Sequence, residues 1–133
     1  MDIRHNWTSD EAYALLTGPL EPLIARAKAV HAQYAAQDVQ QCQLLSIKTG
    51  ACPEDCGYCS QSVHNKADVK PIPMLANNDV VATAVRAKEQ GVTRICMGAA
   101  WREVKDNAQF ERVLDMVRSV NDLGLEVCAT LGM

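Results

Sequence analysis

The chain has 133 residues, of which 48% are hydrophobic and 22% are charged, and its formal net charge is −3. This composition is typical of a globular domain and excludes wholesale disorder. The chain has no excess of basic residues of the kind that binds nucleic acid. Residues 1–10 lack the apolar core of a signal peptide and no apolar run is long enough to span a membrane, so we expect a cytoplasmic protein.

Two helices are predicted at the start of the chain. Thr8 and Glu11 have the spacing of a capping box, which predicts a first helix that ends at Gly18. Apolar residues then recur at helical spacing and predict a second helix from Leu20 to Ala36. Because both helices precede any strand, we interpret residues 1–38 as an N-terminal helical cap.

After this cap the predicted elements alternate between strands and helices. The helix after the first strand is expected over residues 79–90, with Asn78 as its N-cap. The next helix is capped by Asp106 or Asn107 and ends at Gly124. The predicted strands cover Cys42 to Lys48, Val92 to Met97 and Leu125 to Leu131.

Strand–helix alternation with short connections indicates an α/β fold with parallel strands. No Gly-rich dinucleotide-binding turn follows the first strand, which weakens the doubly wound alternative and favours a (β/α) TIM-type barrel. A complete barrel of this type needs about 250 residues. We therefore interpret residues 39–133 as its first β/α units, with three parallel strands, and expect the chain to be an incomplete domain.

The loop after the first strand carries the spacing C-x-x-x-C-x-x-C, at Cys52, Cys56 and Cys59. Without a secretory signal, such cysteines are expected to bind metal or do chemistry rather than form disulfides. A structural zinc site would need a fourth ligand, which His64 or Cys42 could supply. An iron–sulfur cluster held by three thiolates would leave one iron open. Three unrelated cysteines are the remaining alternative.

The three loop cysteines, with the aromatic Tyr58 before the last of them, resemble the signature of the radical S-adenosylmethionine superfamily. More narrowly, three segments resemble the biotin synthase family: SIKTGACPEDC at 46–56, CMGAAW at 96–101 and TLG at 130–132. The resemblance runs through the whole chain but covers only the N-terminal part of the family's length. It implies a radical enzyme that inserts sulfur into dethiobiotin to form biotin.

The resemblance also implies the cofactors. The three loop cysteines would hold a [4Fe–4S] cluster whose open iron binds S-adenosyl-L-methionine. Tyr58 would pack beside the adenine, and Gly98, Ala99 and Ala100 would border the methionine end. Small residues suit that position because backbone approaches a ligand closely only where side chains are absent.

Cys96 and Cys128 lie inside the second and third predicted strands. A buried cysteine usually acts as a small hydrophobe, but the resemblance implies that both ligate a [2Fe–2S] cluster, whose ligand set is incomplete in this chain. Alternation places Cys128 and Glu126 on the face towards the barrel interior. Arg94 would meet a substrate carboxylate or form an ion pair with Glu126. Lys48, at the end of the first predicted strand, would also bind the substrate or be a solvated lysine.

The partners implied by the resemblance are dethiobiotin, an electron donor such as a flavodoxin-type reductant, and a second copy of the full-length protein in a bacterial cytoplasm. Another radical S-adenosylmethionine enzyme and a zinc-stabilised binding module are the alternative functions. We expect the 133-residue chain on its own to be inactive. No role is predicted for Cys42.

Overall fold

A computed structural model of the protein describes residues 4–35 and 39–132. The chain divides into two compact units, the first ending at Val39 and the second beginning at Gln40. No helix in the described ranges is long and apolar enough to cross a bilayer.

The first unit contains the helices α1 (Ser9–Thr17) and α2 (Leu20–Tyr34). The predicted capping box is present, because the Thr8 Oγ1 accepts a hydrogen bond from the Glu11 backbone N–H and the Glu11 carboxylate accepts one from the Thr8 N–H. Neither helix contains a buried residue, so the predicted apolar stripe of α2 is not buried. The predicted end of α2 at Ala36 lies outside the described residues.

The capping box lowers the pKa of the Glu11 carboxyl, first through the Thr8 backbone hydrogen bond and then through the Arg4 side chain and the Thr8 hydroxyl. Since this pKa lies below the ordinary value of 4.5, the ionised carboxylate stabilises the helix above that pH. The contribution is lost as the pH falls through the lowered pKa. In Thr8→Ala we expect the pKa of Glu11 to rise part of the way towards 4.5. NMR titration of the Glu11 carboxyl carbon measures this, and an unchanged pKa would contradict the role of the Thr8 hydroxyl.

The second unit is an α/β layer. Helix α3 (Asn77–Glu89) connects strands β1 (Cys42–Lys48) and β2 (Arg94–Ala99), and α4 (Ala108–Asp122) connects β2 to β3 (Glu126–Thr130). The three strands form one parallel sheet in the order β1-β2-β3. The predicted α/β class with three parallel strands is confirmed, and sequential neighbours are the order expected in a (β/α) barrel.

Helices α3 and α4 pack on one face of this sheet. The strands alternate, so that Ile47, Ile95 and Met97 are fully buried against the helices, while Leu44 on the other face is 73% exposed. Ala129 is an exception, because strand alternation places it on the side of the helices and it is nevertheless exposed. The helices contribute small and branched residues to this core: Val80, Ala84, Ala87, Val113, Met116 and Val120.

Helices α3 and α4 differ in how their N-termini are capped. Asn107 is the N-cap of α4, as predicted, and its side chain accepts two backbone N–H bonds of the first turn. Helix α3 starts two residues before the predicted position, and its N-cap is Ala76 rather than Asn78. The Asn77 side chain instead donates a hydrogen bond to Ser119 Oγ on α4 at 3.0 Å. The start of α3 therefore has no side-chain cap, and its first residue is bonded to α4.

Candidate functional site

The cysteine loop leaves the C-terminal end of β1 through a sharp turn. Gly50 and Ala51 have φ angles of +67° and +52°. Ala51 is thus a non-glycine residue in the left-handed region, which persists only where the surroundings hold it. This turn places Cys52 at the edge of the sheet where the parallel strands end, which is where proteins of this class build their sites.

The three thiols of this loop lie in related but unequal environments. Cys52 is 8% exposed, whereas Cys56 and Cys59 are half-buried. Desolvation raises the pKa of the Cys56 thiol, and the nearby Glu54, Cys59 and Cys52 raise it further through repulsion between negative charges. A metal ion or cluster bound at the loop would instead lower the pKa of the Cys56 thiol, because coordination favours the thiolate.

Asn65 fixes the part of the loop that contains the last two cysteines. Its Nδ2 donates hydrogen bonds to the carbonyl oxygens of Cys56 and Cys59, at 2.9 and 2.8 Å. The Cys59 backbone N–H in turn donates to the Cys56 carbonyl at 2.9 Å. One partly buried amide therefore sets the relative position of two cysteines that are three residues apart.

Gln61 and Ser62 hold the first part of the loop. The Gln61 side chain accepts the Gly50 N–H at 2.9 Å, and its main-chain carbonyl accepts the Cys52 N–H at 3.0 Å. The buried Ser62 donates from Oγ to the Glu54 carbonyl at 2.5 Å. The sequence pattern did not indicate Gln61, Ser62 or Asn65, because polar residues after a loop look the same as a solvated segment.

The two residues considered as a fourth zinc ligand lie in different places. Cys42 begins β1 and the cysteine loop follows its end, so roughly 20 Å of strand separates them. Cys42 is therefore excluded as a ligand at this loop. The His64 side chain is near the loop, with its Nε2 3.3 Å from the Pro53 carbonyl oxygen.

The donor chemistry of the loop fits an iron–sulfur cluster, since thiolates hold such clusters. Among residues 4–35 and 39–132, however, no three or more His, Cys, Asp or Glu side chains are arranged as a metal site. The structure brings the three cysteines into one loop, but their convergence on a single centre is not observed.

The end of β2 lies beside this loop and is made of small residues. Gly98 and Ala99 end the strand, and the buried Ala100 follows. A Cβ added to Gly98 would meet no heavy atom within 4 Å, so the space at this residue is open. A cavity of about 320 Å³ has lining residues from both segments, among them Lys48, Ala51, Pro53, Ala100 and Trp101. The Tyr58 side chain, also predicted at the site, is 94% exposed.

Lys48 is half-buried and lines the cavity beside the loop. Its Nζ donates hydrogen bonds to the carbonyl oxygens of Gly50 and Ala100, at 3.1 and 2.8 Å. These bonds use two of the three donors of the ammonium group, and substrate binding by Lys48 stays a prediction.

Cys96 and Cys128 are direct partners in the register of β2 and β3. They lie on the sheet face opposite the helices, as strand alternation predicted. A hydrogen bond with Cys128 is the main cause that raises the pKa of the Cys96 thiol, and desolvation adds to it. Cys42, on the neighbouring strand, raises this pKa further. Cys96 and Cys128 are therefore direct neighbours across the two strands.

The same register places Arg94 opposite Glu126. Arg94 Nη2 lies 2.6 Å and Nε 2.8 Å from Glu126 Oε2, and Gln40 donates to the same oxygen at 2.9 Å. The side-chain hydrogen bonds from Gln40 and then Arg94 hold the pKa of Glu126 below its ordinary value. Of the two roles considered for Arg94, the structure shows the ion pair.

Curated proteins with sequences similar to this chain are biotin synthases. The protein from Sorangium cellulosum is 60% identical over 98% of this chain. Those from Nostoc sp. and Myxococcus xanthus are 54% and 53% identical over 98% and 100% of it. The chain spans only 38–39% of the length of these relatives. No protein-family model matches. The predicted resemblance to the N-terminal part of biotin synthase is thus confirmed.

Proposed function

We propose that this protein is a biotin synthase, which inserts sulfur between two unactivated carbons of dethiobiotin. The observation that carries the proposal is the 50–60% identity to curated biotin synthases along almost the whole chain. The chemistry agrees with the residues present. Unactivated C–H bonds have no acidic proton, so the reactive species must come from a cofactor while the protein supplies position and excludes water.

The cysteine loop would hold a [4Fe–4S] cluster through Cys52, Cys56 and Cys59. With S-adenosyl-L-methionine bound, such a cluster would supply the electron that cleaves the sulfonium into methionine and a 5′-deoxyadenosyl radical. The hydrogen bonds of the Asn65 amide to the loop support this assignment, since they orient two of the ligands.

The segment of Gly98, Ala99 and Ala100 would bind the methionine end of S-adenosyl-L-methionine. The open space at Gly98 and the cavity shared with the cysteine loop support this role. Tyr58, whose ring is exposed, would lie beside the adenine. Aromatic rings with a free face are suited to stack on a base.

Cys96 and Cys128 would supply two thiolates to a second cluster, of the [2Fe–2S] type. Their direct pairing in the register of β2 and β3 supports this, because two ligands of one group must lie side by side. To bind the carboxylate of dethiobiotin, Arg94 would have to break its ion pair with Glu126. In this proposal residues 1–38 form a helical cap and residues 39–133 begin the barrel.

The proposed partners are dethiobiotin, an electron donor of the flavodoxin type, and a second copy of the chain. The test is anaerobic incubation of the full protein, reconstituted with iron and sulfide, with reductant and S-adenosyl-L-methionine. We expect 5′-deoxyadenosine to be released when dethiobiotin is added. If the amount of 5′-deoxyadenosine released does not depend on dethiobiotin, the protein is a different radical enzyme. A colourless protein that contains zinc would indicate a binding module.

The Asn65→Ala variant is expected to bind iron at the cysteine loop about 10–100-fold more weakly than the wild type, which is the usual cost of removing an outer partner of a metal ligand. The reason is that the Cys56 and Cys59 carbonyls lose their common donor. Iron retained per chain during a chelator titration measures the effect. Asn121→Ala, at an exposed position of α4, is the matched control. Equal retention in both variants would show that Asn65 does not position the ligands.

A further inference from the structure

We infer that Lys48 is a positioning residue that couples the cysteine loop to the end of β2. Only the ligand that the two segments would hold rests on the proposed function. The coupling itself rests on the contacts of Lys48 and on the geometry of the chain around it.

Lys48 binds Ala100 through both its main chain and its side chain. The Ala100 N–H donates to the Lys48 carbonyl at 2.9 Å, and the Lys48 ammonium donates to the Ala100 carbonyl at 2.8 Å. The same ammonium donates to the Gly50 carbonyl at 3.1 Å, two residues before Cys52. One partly buried cation therefore joins the first residues of the loop to the residue that follows β2.

The sheet pairs Lys48 with Ala99 but does not extend to Gly50. The register between β1 and β2 shifts between Ser46 and Lys48, so the ladder is interrupted just before the loop begins. Beyond this point the chain enters the left-handed turn of Gly50 and Ala51. A bond to the Gly50 carbonyl restrains the turn at the position where the strand no longer does.

The ammonium group is suited to this task. A lysine has three donors, and hydrogen bonds from a charged donor are roughly twice as strong as those between neutral groups. Lys48 also lines the cavity whose other lining residues include Ala51 and Ala100. A displacement of either segment therefore changes the bonds to the other one and the width of the cavity between them.

The test compares amide hydrogen exchange in the full protein with Lys48→Met and Lys48→Arg. In Lys48→Met we expect the amides of residues 49–52 and 99–101 to exchange about tenfold faster or more, because bonds to a charged donor are lost in both segments. In Lys48→Arg, whose side chain keeps several hydrogen-bond donors, we expect the same amides to exchange as slowly as in the wild type. Amides in the middle of α4 serve as the fold control and should be unchanged.

A second measurement relates the coupling to the ligand. After anaerobic reconstitution, Lys48→Met should retain iron but bind S-adenosyl-L-methionine at least about tenfold more weakly, with recovery in Lys48→Arg. If the protein takes up no cluster, the proposed function fails, while the exchange comparison still decides the coupling.

Three exchange results would overturn the inference. They are unchanged exchange in Lys48→Met, faster exchange in only one of the two segments, and the same loss of protection in Lys48→Arg. If Lys48→Met does not fold, Lys48→Gln replaces it, because its shorter neutral amide cannot reach both carbonyls, and the same outcomes apply.

Discussion

The Cys56→Ala variant is expected to lose essentially all of the cluster iron at the cysteine loop and, with it, the activation of S-adenosyl-L-methionine. Removing an outer partner of a metal ligand already costs roughly 10–100-fold in metal affinity, so removing a ligand costs more. Two thiolates in a loop cannot replace the third. Iron and sulfide analysis with the visible absorption spectrum, after anaerobic reconstitution, measures the loss.

The matched control for this prediction is Cys42→Ala. Cys42 is an exposed cysteine at the opposite end of β1 from the loop, and it has no assigned ligand role. We expect this variant to keep the wild-type spectrum. If Cys56→Ala and Cys42→Ala retain the same iron, the cysteine loop is not the cluster site.

The Ile95→Ala variant is expected to lower the free energy of unfolding by about 2–5 kcal/mol. Ile95 is fully buried in the central strand, where it packs with α3 and α4. Its truncation removes buried apolar area and leaves a cavity that the close-packed neighbours fill only in part. Urea denaturation of the protein, followed by circular dichroism, measures the change.

Ile72→Ala removes the same atoms from a side chain that is 49% exposed. We expect this substitution to lower the free energy of unfolding by less than about 1 kcal/mol, because much of the side chain is already in water. A cost for Ile95→Ala as small as that for Ile72→Ala would contradict the assignment of the helix-facing side of the sheet.

Local signals in the sequence predicted the parts of the fold that depend on neighbouring residues. The predicted bounds of the first strand, Cys42 and Lys48, are the bounds of β1, and Asn107 was one of two residues expected to cap α4. Gly91 and Gly124, with φ angles of +87° and +79°, follow α3 and α4 at positions that favour glycine. These features need no knowledge of distant contacts.

Features that depend on distant residues were not predictable in the same way. The contact of Asn77, in the first turn of α3, with Ser119 joins residues that are 42 positions apart. The bond between Lys48 and Ala100 was not predicted, because these residues are 52 positions apart and meet only when the end of β2 lies beside β1. The spacing of the cysteines indicated the site, but the residues that support it became visible only in the folded loop.

We propose that the three cysteines of the loop hold a [4Fe–4S] cluster that remains open to S-adenosyl-L-methionine. Electron paramagnetic resonance of the reconstituted, reduced full protein, recorded with and without S-adenosyl-L-methionine, tests this directly. We expect the signal of a reduced [4Fe–4S] cluster that changes when S-adenosyl-L-methionine is added. A colourless protein that binds zinc and takes up neither iron nor sulfide would contradict it.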